Sequence, residues 1–152
     1  MHDLELPTHV SREQIERLQA EMMAMPQTQS LVTEHQFSPG MYMRKVFRPA
    51  GTLIVGKVHK KPHFFLCAKG TIIAWTENGM KRLEAGDIVE SQPGTKRVTL
   101  AVTDAIGITI HRTDLTDLDE IEAELIEPDM TALFDSSNKL KIPVNELIGE
   151  LV

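Results

Sequence analysis

The chain has 152 residues, of which 41% are hydrophobic and 25% charged, and a net charge of −6 at neutral pH. That length makes one domain with a real core, and the acidic balance argues against a nucleic-acid backbone as main partner, which needs a basic face. The longest apolar runs are too short to span a bilayer, and the start, MHDLELPTHV, has neither the basic residues nor the apolar segment of a signal peptide, so a cytoplasmic protein is expected.

Residues 1–10 read as a lead-in. Ser11 and Gln14 form a capping box, and Ile15, Leu18, Met22 and Met25 follow at helical spacing as a packing face. Pro26 closes that helix near Ala24 or Met25. From Leu31 to His111 the pattern turns to short β runs, at 31–37, 41–48, 52–58, 63–69, 71–76, 80–84, 87–90, 97–102 and 105–111. Gly, Pro and Asn punctuate them, and Asn78-Gly79 is the strongest hairpin signal, since a tight primed turn needs positive φ. Many short strands with no long helix between them predict an all-β antiparallel sandwich or barrel.

After His111 the chain is again helical. Thr113, Asp114 or Thr116 can cap a helix whose Leu118, Ile121 and Leu125 form one stripe, and Pro128 ends it. The expected division is a lead-in and helix over 1–30, a β-barrel over 31–112, a helix packed on it over 113–127, and a tail over 128–152. The tail carries Val144, Leu147, Ile148 and Leu151, too short a helix to stand alone in water, so it is expected to serve as an interface element.

The chemistry concentrates in Gly51–Gly70, GTLIVGKVHKKPHFFLCAKG. Two apolar runs flank Lys60-Lys61-Pro62, and Pro62 cannot donate to a ladder, so the crossing is a turn with His59 and His63 at its ends. Neutral imidazoles so placed can bind Zn, Fe, Ni or Mn, yet two ligands rarely suffice. His111 is the third candidate. It shares one strand face with Thr109 and Gly107, while Ile106, Ile108 and Ile110 share the other. If the isoleucines fill the barrel His111 points out; if they pack on a helix or a second subunit it points in. Arg97 reads either as a guanidinium fork for carboxylate or phosphate or as an exposed strand residue paired with an acid. Lys60, Lys61, Lys96 and Arg97 make at most a small basic rim. Cys67, the single cysteine, reads as a small buried hydrophobe, and Trp75 as core or interface packing.

Over residues 31–126 the sequence resembles the cupin superfamily of jelly-roll barrels. With Gly70 aligned to the glycine that closes the first cupin motif, His63 falls at the motif's glutamate, His59 at its second histidine and Lys57 at its first. In the second motif, Gly86 and Gly94-Thr95-Lys96-Arg97 match, with Arg97 where a histidine is usual and Ala101 at the asparagine position. Ala50-Gly51, Val58-His59-Lys60, Pro93–Arg97 and Ile110-His111 make it most similar to small cupins encoded by bacteriophages. The resemblance implies a cupin-type jelly-roll barrel with a degenerate metal and small-molecule site at its mouth, since Lys57 and Arg97 put cations at ligand positions. It leaves three readings: a metal-binding cupin using His59, His63 and His111; a structural or assembly protein with phage structural partners, virion-associated; and a metal-free anion binder using Arg97 and Lys57. A homodimer or larger homo-oligomer is expected in each, because such barrels leave an apolar sheet face.

Overall fold

The structure, a computed structural model, describes residues 9–23, 31–76 and 78–128. The order is α1 (Arg12–Met23), β1 (Thr33–Ser38), β2 (Met41–Arg48), β3 (Leu53–Val55), β4 (His63–Lys69), β5 (Ile72–Thr76), β6 (Gly79–Leu83), β7 (Ile88–Ser91), β8 (Val98–Ala101), β9 (Ala105–Arg112) and α2 (Leu118–Leu125). One sheet has the order β1-β2-β9-β4-β7 and the other β3-β8-β5-β6, with every neighbouring pair antiparallel. Among the described residues no helix is long and apolar enough to cross a membrane.

Alternation along the strands builds a stack of layers. Phe65 and Cys67 of β4 meet Ile72, Leu83 and Ala101 of the second sheet, forming the closed end of the barrel between the sheets. On the outer side of that second sheet Ile73, Trp75 and Val98 receive Ile15 of α1. Trp75 is therefore packing, outside the barrel interior. At the opposite end Tyr42 is covered by Ile121 and Leu125 of α2. Cys67 is fully buried, and burial raises its thiol pKa, which makes it inert.

The local signals at α1 hold in detail. The Ser11 N–H donates to Gln14 Oε1 at 2.8 Å and Gln14 N–H donates to Ser11 Oγ at 3.1 Å, a reciprocal capping box. The expected end of this helix near Ala24 or Met25, the tail of 128–152 and its apolar stripe lie outside the described residues.

Three expectations need correction. The cap of α2 is Asp117, whose Oδ1 accepts from Glu120 N–H at 3.0 Å. Thr113 is engaged elsewhere, accepting from Leu115 N–H and donating to Glu124 Oε2 at 2.8 Å, which anchors the helix instead of starting it. The run 52–58 forms ladder only at Leu53–Val55, because its partner changes. Gly56 N–H donates to the Arg97 carbonyl at 2.8 Å, whereas the Val58 carbonyl accepts from Glu127 N–H at 2.9 Å. At the β5–β6 hairpin Gly79 pairs with Thr76 and closes the ladder instead of occupying the loop.

Glycine shapes the cavity wall at Gly107 on the inner face of β9. A Cβ there would lie 2.9 Å from Phe65 Cζ and 3.0 Å from Arg48 Nη2. Both neighbours are held, since Phe65 is buried core and Arg48 Nη1 donates to Thr99 Oγ1 at 2.7 Å. Gly107→Val should therefore cost roughly 1–3 kcal/mol by overpacking, measured by chemical denaturation, with Gly51→Ala, which has open space around it but a φ of +87°, as a backbone-strain comparison.

Candidate functional site

The three histidines come from three different places in the chain. His63 opens β4 with its side chain inward, on the same face as Phe65 and Cys67. His111 lies near the end of the neighbouring strand β9, where Phe64 pairs with Ile110, so the two imidazoles sit side by side at one rim. His59 is outside the named strands and is fixed by an antiparallel bridge to Ile126, just after α2. Lys60 N–H donates to the Leu125 carbonyl at 2.7 Å, so α2 and the His59 segment hold each other.

His111 points in. The isoleucines of β9 take the outer face, and Gly107, Thr109 and His111 line the interior. Ring centroids are 4.0 Å apart for His59–His63, 4.8 Å for His63–His111 and 5.2 Å for His59–His111. The candidate ligand nitrogens all lie within 4.8 Å of one another. His63 and His111 are buried and His59 half-buried. Tyr42 stacks on His111 at 5.8 Å and is itself bonded to His35 Nδ1 at 2.7 Å, bracing the cluster from the β2 side.

The electrostatics keep these rings neutral. Burial lowers His63 to about 4, with repulsion from Arg97 adding to it and the Lys61 backbone opposing it. Burial likewise takes His111 to about 3, with His63 and then Arg44 adding to it. For His59 burial again leads, followed by His63, His111 and Arg97, and only the backbone of Lys57 opposes them. A cluster of uncharged imidazoles with free lone pairs is what a metal ion requires and what an isolated proton is denied.

The cluster opens on a cavity of about 520 Å³ between the sheets, roofed by Leu118, Ile121 and Leu125 of α2. Arg97 lies inside it, over the Phe65 ring at 4.9 Å and bonded to Ser91 Oγ. The reading of Arg97 as an exposed residue paired with an acid is thus corrected. Lys57 also lines the cavity, but its ammonium pairs with Glu122 of α2, which neutralises it there. The expected basic rim dissolves as well: Lys96 is buried against Gln19, Lys61 pairs with Glu124 at 2.8 Å, and Lys60 donates to the Ala123 carbonyl at 2.8 Å.

Two further arginines line the cavity that the sequence reading did not single out, Arg44 and Arg48. Both share the inner face of β2 with Tyr42 and Val46, and that shared parity was the available signal. Arg48 sits over Phe65 at 5.4 Å, opposite neighbours that include Thr99. Burial lowers Arg48 and Arg97 to about 10, so both remain cations at neutral pH.

The backbone matches solved jelly-roll structures. It aligns with KdgF from Halomonas sp. at a TM-score of 0.50 and 15% identity, over 58% of this chain and 82% of that one. A cupin superfamily protein from Desulfitobacterium hafniense aligns at 0.51 and 9% identity, over 59% and 84%. The fold is a cupin barrel. Salicylate 1,2-dioxygenase from Pseudaminobacter salicylatoxidans gives a TM-score of 0.54 at 14% identity, covering 72% of this chain and only 34% of the enzyme. No protein-family model and no curated protein sequence matches the chain. In this cupin barrel His59, His63 and His111 form a triad that could hold a metal, the third imidazole coming from β9 and from neither sequence motif.

The depressed histidines make stability depend on pH. An unfolded histidine takes up a proton near its ordinary value of 6.5, whereas the folded ones resist down to about 4 or below. The unfolded chain thus binds more protons below pH 6.5, and the contribution of neutral burial, present above that pH, is lost as pH falls. The Tm of the metal-free protein should drop between pH 6.5 and 5, and His63→Gln should flatten that slope in a thermal melt.

Proposed function

We propose that this protein is a metal-dependent small-molecule cupin, with a divalent transition metal (Zn, Fe, Ni or Mn) held by His59, His63 and His111. The observation that carries this reading is the convergence of three neutral imidazoles on the wall of a cavity between the sheets, with ligand atoms within 4.8 Å. The residues fit the group: imidazole suits these metals, and three protein ligands leave coordination positions open for water or substrate. When bound, such an ion supplies a Lewis acid facing the cavity. The chain's own residues do the rest. His59 is positioned by the Ile126 bridge, Tyr42 orients His111, and α2 roofs the cavity against bulk water.

The likeness to solved cupin barrels is one of fold and names no reaction, since one fold serves many chemistries. Elemental analysis of untagged protein, reconstituted with each metal in turn, tests the reading. About one ion per chain is expected, falling well below half in His59→Ala and in His63→Ala. An absence of stoichiometric metal in the parent after reconstitution would remove the proposal.

A specific observation also favours self-association, the partner reading that a structural or assembly protein would share. The outer face of the first sheet presents Met43, Ile110 and Phe64 in one register row and Leu66 and Ile88 beside the buried Ile108 in the next. Phe64 is 49% exposed and Ile88 58%. Contiguous apolar rows of this kind are costly to leave in water. We propose that a second copy of the chain covers them. Sedimentation of the parent should report a dimer or larger species, and Phe64→Lys should shift it toward monomer with the fold intact.

A further inference from the structure

The cavity holds more positive charge than the metal reading uses. Arg44, Arg48 and Arg97 all line it, and among the described lining residues Glu122 is the single carboxylate, already engaged by Lys57. Arg48 is only 8% exposed and its Nε is buried without a hydrogen-bond partner. Its Nη1 reaches Thr99 and Arg97 reaches Ser91, both neutral hydroxyls that leave the guanidinium charges uncompensated. Thr109 Oγ1, between Gly107 and His111 on the same wall, is also buried without a partner. The two guanidiniums lie 5.4 and 4.9 Å from the centre of one aromatic ring, Phe65, and both line the same cavity, where Arg97 acts electrostatically on Arg48.

Like charges lining one desolvated pocket repel one another and forgo their hydration, so entry of an anion relieves both costs. A planar guanidinium with unused N–H groups recognises a carboxylate or another oxyanion in paired hydrogen bonds. Three neutral histidines at the rim would add the double positive charge of a divalent ion. A single negative charge leaves most of that field unbalanced.

We propose that the ligand of this cavity is a small organic acid with two anionic groups, one gripped by Arg48 and Arg97 at the Phe65 floor and the other directed to the histidine-held metal. The second half of this assignment rests on the metal reading; the first half rests on the arginines alone. Arg44 supplies further attraction from β2, and Thr99 and Ser91 hold the two guanidiniums in place. The neutral side chains of Tyr42 and Leu118 bound the space between the two ends.

Calorimetric titration of the metal-reconstituted protein with oxalate, malonate, succinate and glutarate tests this, each compared with its monoamide. One diacid of the series should bind at least tenfold more tightly than its monoamide. That preference should fall at least tenfold in Arg97→Gln while the metal content per chain stays at the parental value. Arg97→Lys keeps the charge but loses the fork and should recover only part of the affinity. Since Arg48 is buried, Arg48→Lys serves as its variant, with a thermal melt verifying the fold. No binding by any diacid, equal binding of diacid and monoamide, or an unaltered affinity in both arginine variants would overturn the assignment. Failure of the metal reading is seen separately, as missing metal in elemental analysis. A diacid preference retained in full by protein stripped with a chelator would overturn the placement of the second anionic group.

Discussion

The orientation of β9 governs this molecule. It is the central strand of its sheet, between β2 and β4, and whichever face it turns inward lines the barrel. Three isoleucines inside would have filled the interior with hydrocarbon. Instead Gly107, Thr109 and His111 face in, and the missing Cβ of Gly107 is what lets Phe65 and the Arg48 guanidinium approach the sheet. The isoleucines are left on the outer face, where they align with Phe64, Leu66 and Ile88. One choice of strand parity therefore produces both the polar interior and the apolar exterior.

Within that interior two kinds of base are treated differently by the same burial. Desolvation disfavours charge on histidine enough to hold the triad neutral at physiological pH, because an imidazole starts near 6.5. The same penalty brings Arg48 and Arg97 only to about 10, so they keep their charge. The result is a cavity lined both by neutral imidazoles with lone pairs and by guanidiniums that keep their charge. Repulsion by Arg97 reinforces it, since it pushes His59 and His63 further toward the neutral form.

The rim is fastened by contacts that are distant in sequence. The stretch after α2 runs antiparallel to His59, and Lys57 and Lys61 form ion pairs with Glu122 and Glu124. A helix of this length contributes little stability alone. Its hold on the barrel comes from Ile121 and Leu125 packed against Tyr42, and the same packing roofs the cavity. Roof and site are thus one structural unit, and a change in α2 reaches His59 directly.

Most of the short β runs, the capping box at Ser11 and Gln14 and the closeness of His59 to His63 follow from local rules, because periodicity, proline and glycine act over a few residues. They were legible in the residues themselves. The direction of β9 was not legible, since its two faces, one of isoleucines and one of Gly107, Thr109 and His111, could each have been the inner one. Nor was the role of Arg44 and Arg48, which carry the parity of Tyr42 and Val46. The sequence alone settles which segments carry strand alternation, because that alternation is a property of a segment's own backbone. Only the tertiary structure settles which face looks inward, because that depends on what the opposite sheet has already filled.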